Sequence, residues 1–273
     1  MARAVSLNVA HRSYFMLIMS SLIVVAWLVL WGGDYASYGR YLHIGHFGGL
    51  DPDGSICRLF PAGFVGGVLV PGILYVGGWT LMTIAMMLPT TLPLLEIFRR
   101  LTVRRTDHAR LMTLLIVGYL GVWALFGVVA LVGDWGLQTL LAHNAWLRSN
   151  AWVLGGGVLI LAGAFQFSQL KYRCLDKCRS PLSFVMEHWR GKRERTHSLL
   201  LGVRHGAFCV GCCWALMLLM FAVGTGSVGW MLALAGIMAV EKNFPWGREL
   251  AFPLGAALLG CGSFIILSNL SLP

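Results

Sequence analysis

The feature that most constrains this chain is a series of apolar runs of membrane length, separated by polar connections of which two are long, 33–69 and 171–207. The runs lie at about 14–32, 70–95, 111–133, 151–170, 208–225, 227–241 and 250–269. A helix that crosses a bilayer needs about 20 predominantly apolar residues, so the pattern predicts an all-α polytopic bundle of about seven spans. Composition agrees: 12% of the 273 residues are charged, where a soluble surface uses about a quarter. The 227–241 run is short, and Gly224, Gly226 and Gly229 make its turn from the preceding run tight, which predicts a helical hairpin there. The first run lacks a small-residue cleavage site close behind it and reads as a retained helix. The chain reads as one transmembrane domain over residues 1–273.

Charge sets the orientation. With the N-terminus in the cytoplasm, 18 of the 21 Lys and Arg residues fall on the inner side, and only Arg40, Arg58 and Arg148 fall outside. Positive charge is retained on the cytoplasmic side, and a bacterial inner membrane is the expected location. The same rule disposes of nucleic acid as a partner. The formal charge of +10 resides in clusters such as Arg99, Arg100, Arg104, Arg105 and Lys192, Arg193, Arg195, all flanking apolar runs, where membrane topology explains them. The expected surroundings are lipid.

Five of the seven cysteines, Cys174, Cys178, Cys209, Cys212 and Cys213, flank the inner connection 171–207. A reducing cytosol disfavours structural disulfides, so these thiols read as metal-binding or redox-active. Lipidation and plain packing are the alternatives. In Cys174-Leu-Asp-Lys-Cys178 the i, i+4 spacing puts both sulfurs on one face of a helix continuing the fourth span. Cys209-Val-Gly-Cys212-Cys213 opens the fifth, with His205, Met217 and Met220 extending the stripe.

The second span offers Met82, Met86 and Met87 just before Pro89, and the sixth ends inward with Met238, Glu241 and Lys242. Four inward-facing helix ends therefore carry thiols, thioethers or a carboxylate at similar depth. Thiolate with thioether favours Cu(I), and zinc, which takes Cys, His and carboxylate, is disfavoured by the methionines. The expected ligands are Cys174, Cys178, Cys209, Cys212 and Cys213, with Met86, Met87 and Met217 as soft auxiliaries and Glu241 beside them. Glu241 has a competing reading as an interfacial charge paired with Lys242. In the outer connection His43, His46, Asp51, Asp53 and Cys57 form a weaker set, read as a solvated polar loop because Gly48-Gly49 and Asp51-Pro52-Asp53-Gly54 are turn signals. Gly155-Gly156-Gly157 marks close helix packing. No nucleotide-binding loop, HExxH or Ser, His, Asp set is present, and the chain reads as a binding protein in preference to an enzyme.

At Cys174-Leu-Asp-Lys-Cys178-Arg-Ser-Pro181, Gly202-Val-Arg-His205-Gly-Ala-Phe-Cys209-Val-Gly-Cys212-Cys213-Trp-Ala-Leu-Met217, Glu241-Lys242 and Ala85-Met86-Met87-Leu-Pro89, the chain resembles a bacterial family of predicted metal-binding integral membrane proteins. The resemblance covers roughly residues 75–262. It departs at Gly224-Thr-Gly-Ser-Val228, where Val-Met-Asn is expected. Some members of that family carry a copper-chaperone label, so the resemblance implies copper. The leading expectation is Cu(I) storage, handover or transport, with a membrane-bound copper enzyme or a copper donor as partner. A thiol-based membrane oxidoreductase cycling Cys209 and Cys212, or a non-catalytic subunit of a larger membrane complex, are the alternatives.

Overall fold

A computed structural model describes residues 16–31, 66–189, 194–223 and 228–270. His43, His46, Asp51, Asp53 and Cys57, and most of the 224–229 glycine turn, lie outside them. The described residues are helical, with no strand among them. In chain order they form α1 (Met16–Trp31), α2 (Gly66–Met86), α3 (Leu88–Thr102), α4 (His108–His143), α5 (Ala145–Ser149), α6 (Trp152–Gln166), α7 (Gln169–Arg179), α8 (Pro181–His188), α9 (Glu194–Val223), α10 (Val228–Asn243) and α11 (Ala251–Leu270), with a 3₁₀ turn at Pro245–Arg248.

Among the described residues three helices are long and apolar enough to cross a membrane: His108–His143, Glu194–Met220 and Pro245–Leu270. Two further spans result if each bent pair counts as one, giving up to five. The runs at 14–32 and 227–241 do form helices, α1 and α10, but each has fewer than 18 residues. At 1.5 Å per residue the described part of each falls short of a hydrocarbon core of about 30 Å. The periphery suits lipid. Leu125, Val129, Val132, Trp135, Phe252, Phe264 and Leu267 are all at least 60% exposed, a density of bare apolar side chains that water does not tolerate.

Both bent pairs have local causes. The 70–95 run is two helices, α2 and α3, bent by 67°. Pro89 has no N–H to donate to the carbonyl one turn back, at Ala85. That orphaned oxygen instead accepts a hydrogen bond from Trp27 Nε1 of α1 at 3.1 Å, so the break is also the point where α1 attaches. The 151–170 run likewise ends at Gln166, and α7 departs at 64°. Ser168, in extended backbone, caps α7 by accepting from Lys171 N at 3.1 Å. Cys174 and Cys178 therefore do not continue the fourth span; they lie on a separate helix turned across its end.

The centre of the bundle is α9, which packs against α4, α6, α7, α8 and α10. It begins at Glu194 and so absorbs much of the connection that the sequence places outside the membrane. Its contact with α4 is backbone to backbone. A methyl group on Gly202 would collide with the Leu115 carbonyl and lie 3.0 Å from Tyr119 N, and one on Gly118 would collide with the Leu199 carbonyl. The α6–α11 contact repeats the device with glycines seven residues apart on each helix, so that Gly156 and Gly163 meet Gly262 and Gly255. Of the 155–157 triplet only Gly156 is used in this way; Gly155 and Gly157 face open space. With no hydrophobic drive between helices in lipid, such close approach supplies the packing energy.

A second apolar cluster, including Leu94, Leu95, Phe98, Leu111, Leu115, Phe184, Val185 and Leu201, joins α3, α4, α8 and α9 beside the bends. On the surface Lys177 Nζ donates to Glu187 at 2.9 Å, tying α7 to α8 and holding the Glu187 carboxyl below the usual carboxylate range.

Replacing Gly202 with Ala is expected to separate α4 from α9. Thermal unfolding in detergent should show a clear loss of stability for Gly202→Ala. Gly121, on the same helix as Gly118, has open space around it, so Gly121→Ala should be neutral or stabilising by up to about 1 kcal/mol.

Candidate metal centre

The sulfur-bearing side chains converge where α2, α7, α9 and α10 meet. Cys174, Cys209, Cys212, Cys213, Met82, Met86, Met87, Met217, Met220, Met231 and Met238 are all buried and share one core cluster, with Cys178 packed against it. Cys261 stands apart, exposed on α11. The cysteines among the described residues are free thiols.

Helical geometry arranges the α9 thiols. Cys209 and Cys213 are one turn apart, and the thiols of Cys212 and Cys213 both donate to the Cys209 carbonyl, at 3.1 and 2.9 Å. These bonds fix two side chains against the backbone and leave the Cys209 sulfur free to face inward. Two groups result. Cys212 turns toward α7, where it meets Cys178. Cys174 lies alongside, its Sγ only 2.7 Å from where a methyl on Gly211 would stand; Gly211 is thus what lets α7 approach α9. Cys209 and Cys213 turn instead toward Met87, with Cys213 Sγ 3.9 Å from Met87 Sδ.

At the centre of this second group stands a charge. Lys242 Nζ is 2.9 Å from Cys209 Sγ, 3.6 Å from Met87 Sδ and 3.8 Å from Cys213 Sγ. The Tyr119 hydroxyl adds a contact to Cys209 Sγ at 3.2 Å. Lys242 is buried, at 6% exposure. Its neighbour in sequence does something else. Glu241 Oε1 accepts from Lys171 Nζ at 2.7 Å, and Lys171, fully buried, also donates to Gln166 Oε1. Consecutive residues on a helix point about 100° apart, and Glu241 and Lys242 take different hydrogen-bond partners. The first faces α7 and the second faces the sulfurs, and the competing reading of Glu241 as paired with Lys242 gives way to a Glu241–Lys171 ion pair. Arg179 closes this end by donating to the carbonyls of Glu241 and Pro245.

The expected cysteines and Met87 are therefore together, in two adjoining sets, and Met86 and Met217 are buried in the same core cluster. Glu241 is engaged with Lys171. His205, four residues before Cys209, packs between the rings of Tyr119 and Phe184, with centroids at 5.8 and 5.6 Å. Among the described residues no three His, Cys, Asp or Glu side chains are arranged to hold a metal ion. The arrangement offers two thiols and one thioether, and it already accommodates one positive charge at their focus. That donor set fits a soft monovalent ion, for which low coordination by sulfur suffices. Lys242 and Tyr119 were not among the expected ligands. The adjacency of Glu241 and Lys242 in an apolar run was the available signal, since two such charges require two separate partners.

A family profile described as copper chaperone, PpoB2, matches residues 76–265. The matched segment contains every sulfur of both sets, together with Lys171, Glu241 and Lys242. No curated protein and no solved structure matches the chain.

The buried pair makes a prediction about stability. Removing one partner of a buried ion pair costs about 3–5 kcal/mol, whereas replacing both with apolar groups is often neutral. Thermal unfolding of Glu241→Leu and Lys171→Met should each show a loss of that order, and the double variant should recover most of it.

Proposed function

We propose, for a chain that belongs to the PpoB2 copper chaperone family, that it holds Cu(I) on Cys209, Cys213 and Met87 and passes it through neighbouring sulfur sites to a copper-requiring membrane protein. The observation that carries this reading is the focus of two thiols and a thioether on one positive charge. Thiolate and thioether together select Cu(I) over harder ions.

The adjoining set of Cys174, Cys178 and Cys212 supplies a second position. Cu(I) exchanges between thiols by adding one ligand before losing another, which requires the next sulfur to be within reach. Cys212 and Cys213 are consecutive and face the two sets, so the ion has a covalently short route from one to the other. Met86 and Met217 line the route as weaker donors that bind without trapping. Glu241 contributes by holding Lys171 in place, which ties the start of α7, the helix of Cys174 and Cys178, to α10.

The reading includes topology. Seven spans with the N-terminus in the cytoplasm of a bacterial inner membrane account for the charge asymmetry of 18 to 3. The two shorter helices, α1 and α10, would then span by local thinning of the bilayer or by reaching the interface through flanking residues. In that orientation both sulfur sets lie near the cytoplasmic face. Storage and handover fit this better than transport, because the soft donors gather at one end of the bundle.

Elemental analysis of the purified chain is the direct test. Wild type should carry about one equivalent of copper after loading under reducing conditions. The Cys209/Cys212/Cys213→Ser triple variant should fall to near background, and undiminished copper there would remove the proposal. Cys174→Ser/Cys178→Ser should retain binding but slow transfer to a Cu(I) acceptor chelator by roughly tenfold or more, consistent with loss of one exchange partner.

A further inference from the structure

Taking the copper reading as its premise, we infer that Lys242 is a specificity-determining residue: its fixed positive charge at the focus of Cys209, Cys213 and Met87 restricts the site to monovalent metal ions. The ligand sulfurs alone do not achieve this. Thiolates bind divalent zinc and cadmium well, and a site made only of Cys and Met discriminates by softness, not by charge.

The inference rests on where the interior charges go. Lys171 and Glu241 neutralise each other at 2.7 Å, both almost fully buried. Arg179, at the edge, is taken up by two backbone carbonyls. That leaves Lys242. Among the described residues no carboxylate forms an ion pair with it, and its contacts are the three sulfurs. A long apolar side chain would fill the same volume without the cost of burying an ammonium. The charge therefore has a consequence for whatever else enters.

An arriving ion must displace the ammonium from the focus, but the lysine stem is anchored on α10 and the charge stays within a few ångströms. A monovalent ion bound by two thiolates leaves an anionic complex, and the adjacent ammonium brings the total to zero. A divalent ion in the same ligands is already neutral, and the ammonium then stands beside it uncompensated. The repulsion between Lys242 and the ion doubles from monovalent to divalent. In a weakly screened interior this difference amounts to a hundredfold or more in relative affinity, on the order expected for unit charges about 4 Å apart. Displacing the ammonium, packing around the site and the number of thiolates formed are common to both ions and cancel in the ratio.

Silver(I) and cadmium(II) make the comparison clean, because they are isoelectronic, both thiophilic, and differ mainly in charge. Affinities of the purified full chain for each would be measured by competition in detergent, for wild type, Lys242→Leu and Lys242→Arg. The cadmium-to-silver affinity ratio should rise by about a hundredfold in Lys242→Leu and stay within about threefold of wild type in Lys242→Arg, which keeps the charge. Lys242→Gln is a second neutral variant, to be read if the leucine variant does not remain monodisperse. A ratio that moves less than about threefold in a neutral variant, while wild type binds silver, overturns the inference and leaves the copper reading standing. If wild type binds neither ion, both fall.

Discussion

A positive charge buried among sulfur atoms governs this structure. In a bundle with an apolar exterior, water is not available to stabilise an ammonium, so Lys242 must be held by atoms that carry or polarise negative charge. The sulfurs of Cys209, Cys213 and Met87 supply them. Everything that brings those sulfurs together has to hold simultaneously: the bend that turns Met87 inward, the turn of α9 that places Cys209 and Cys213 on one face, and the register of α10 that separates Glu241 from Lys242. The second interior lysine is satisfied differently, by a carboxylate and an amide. Two lysines on neighbouring elements thus mark two kinds of environment, one hard and built of oxygen, one soft and built of sulfur.

The breaks in α2–α3 and α6–α7 serve this arrangement. An unbroken helix at either place would run straight past α10. By bending 67° and 64°, the chain lays α3 and α7 across the end of the bundle, where both contact α10. The cost of each break is small because the freed groups find partners within the protein. The Ala85 carbonyl left without a donor by Pro89 is taken by Trp27, and the start of α7 is capped by Ser168. Irregular backbone at membrane depth is tolerated only where it is satisfied in this way.

Much of this was legible in the sequence. The helical class followed from run length and low charge, and the convergence of Cys174, Cys178, Cys209, Cys212, Cys213, Met86 and Met87 followed from placing four helix ends at one depth. The bends were legible only in part. Pro89 announced a loosened helix, but nothing in Gln166–Ser168 breaks helical periodicity, because the break there is made by a polar cap and a tertiary ion pair. The division of the sulfurs into two sets was also hidden. It depends on which face of α9 each of Cys212 and Cys213 presents to which neighbour, a matter of tertiary packing that spacing along one helix leaves open. The role of Lys242 was obscured by its adjacency to Glu241, which invites pairing along the chain where the helix enforces divergence.

The glycine contact between α4 and α9 has a bearing on the dimensions of the site. Tyr119 sits beside Gly118 on α4, and Cys209 lies seven residues along α9 from Gly202, so both are carried on backbones that touch with no side chain between them. Side-chain interfaces have rotamers through which they can loosen or repack; two backbones in contact have none. The spacing of the α4 and α9 backbones that carry Tyr119 and Cys209 is therefore set by main-chain contact, and repacking elsewhere in the bundle cannot readily alter it. A sulfur cluster carried on such a spine keeps its spacing from α4 as its lipid surroundings change.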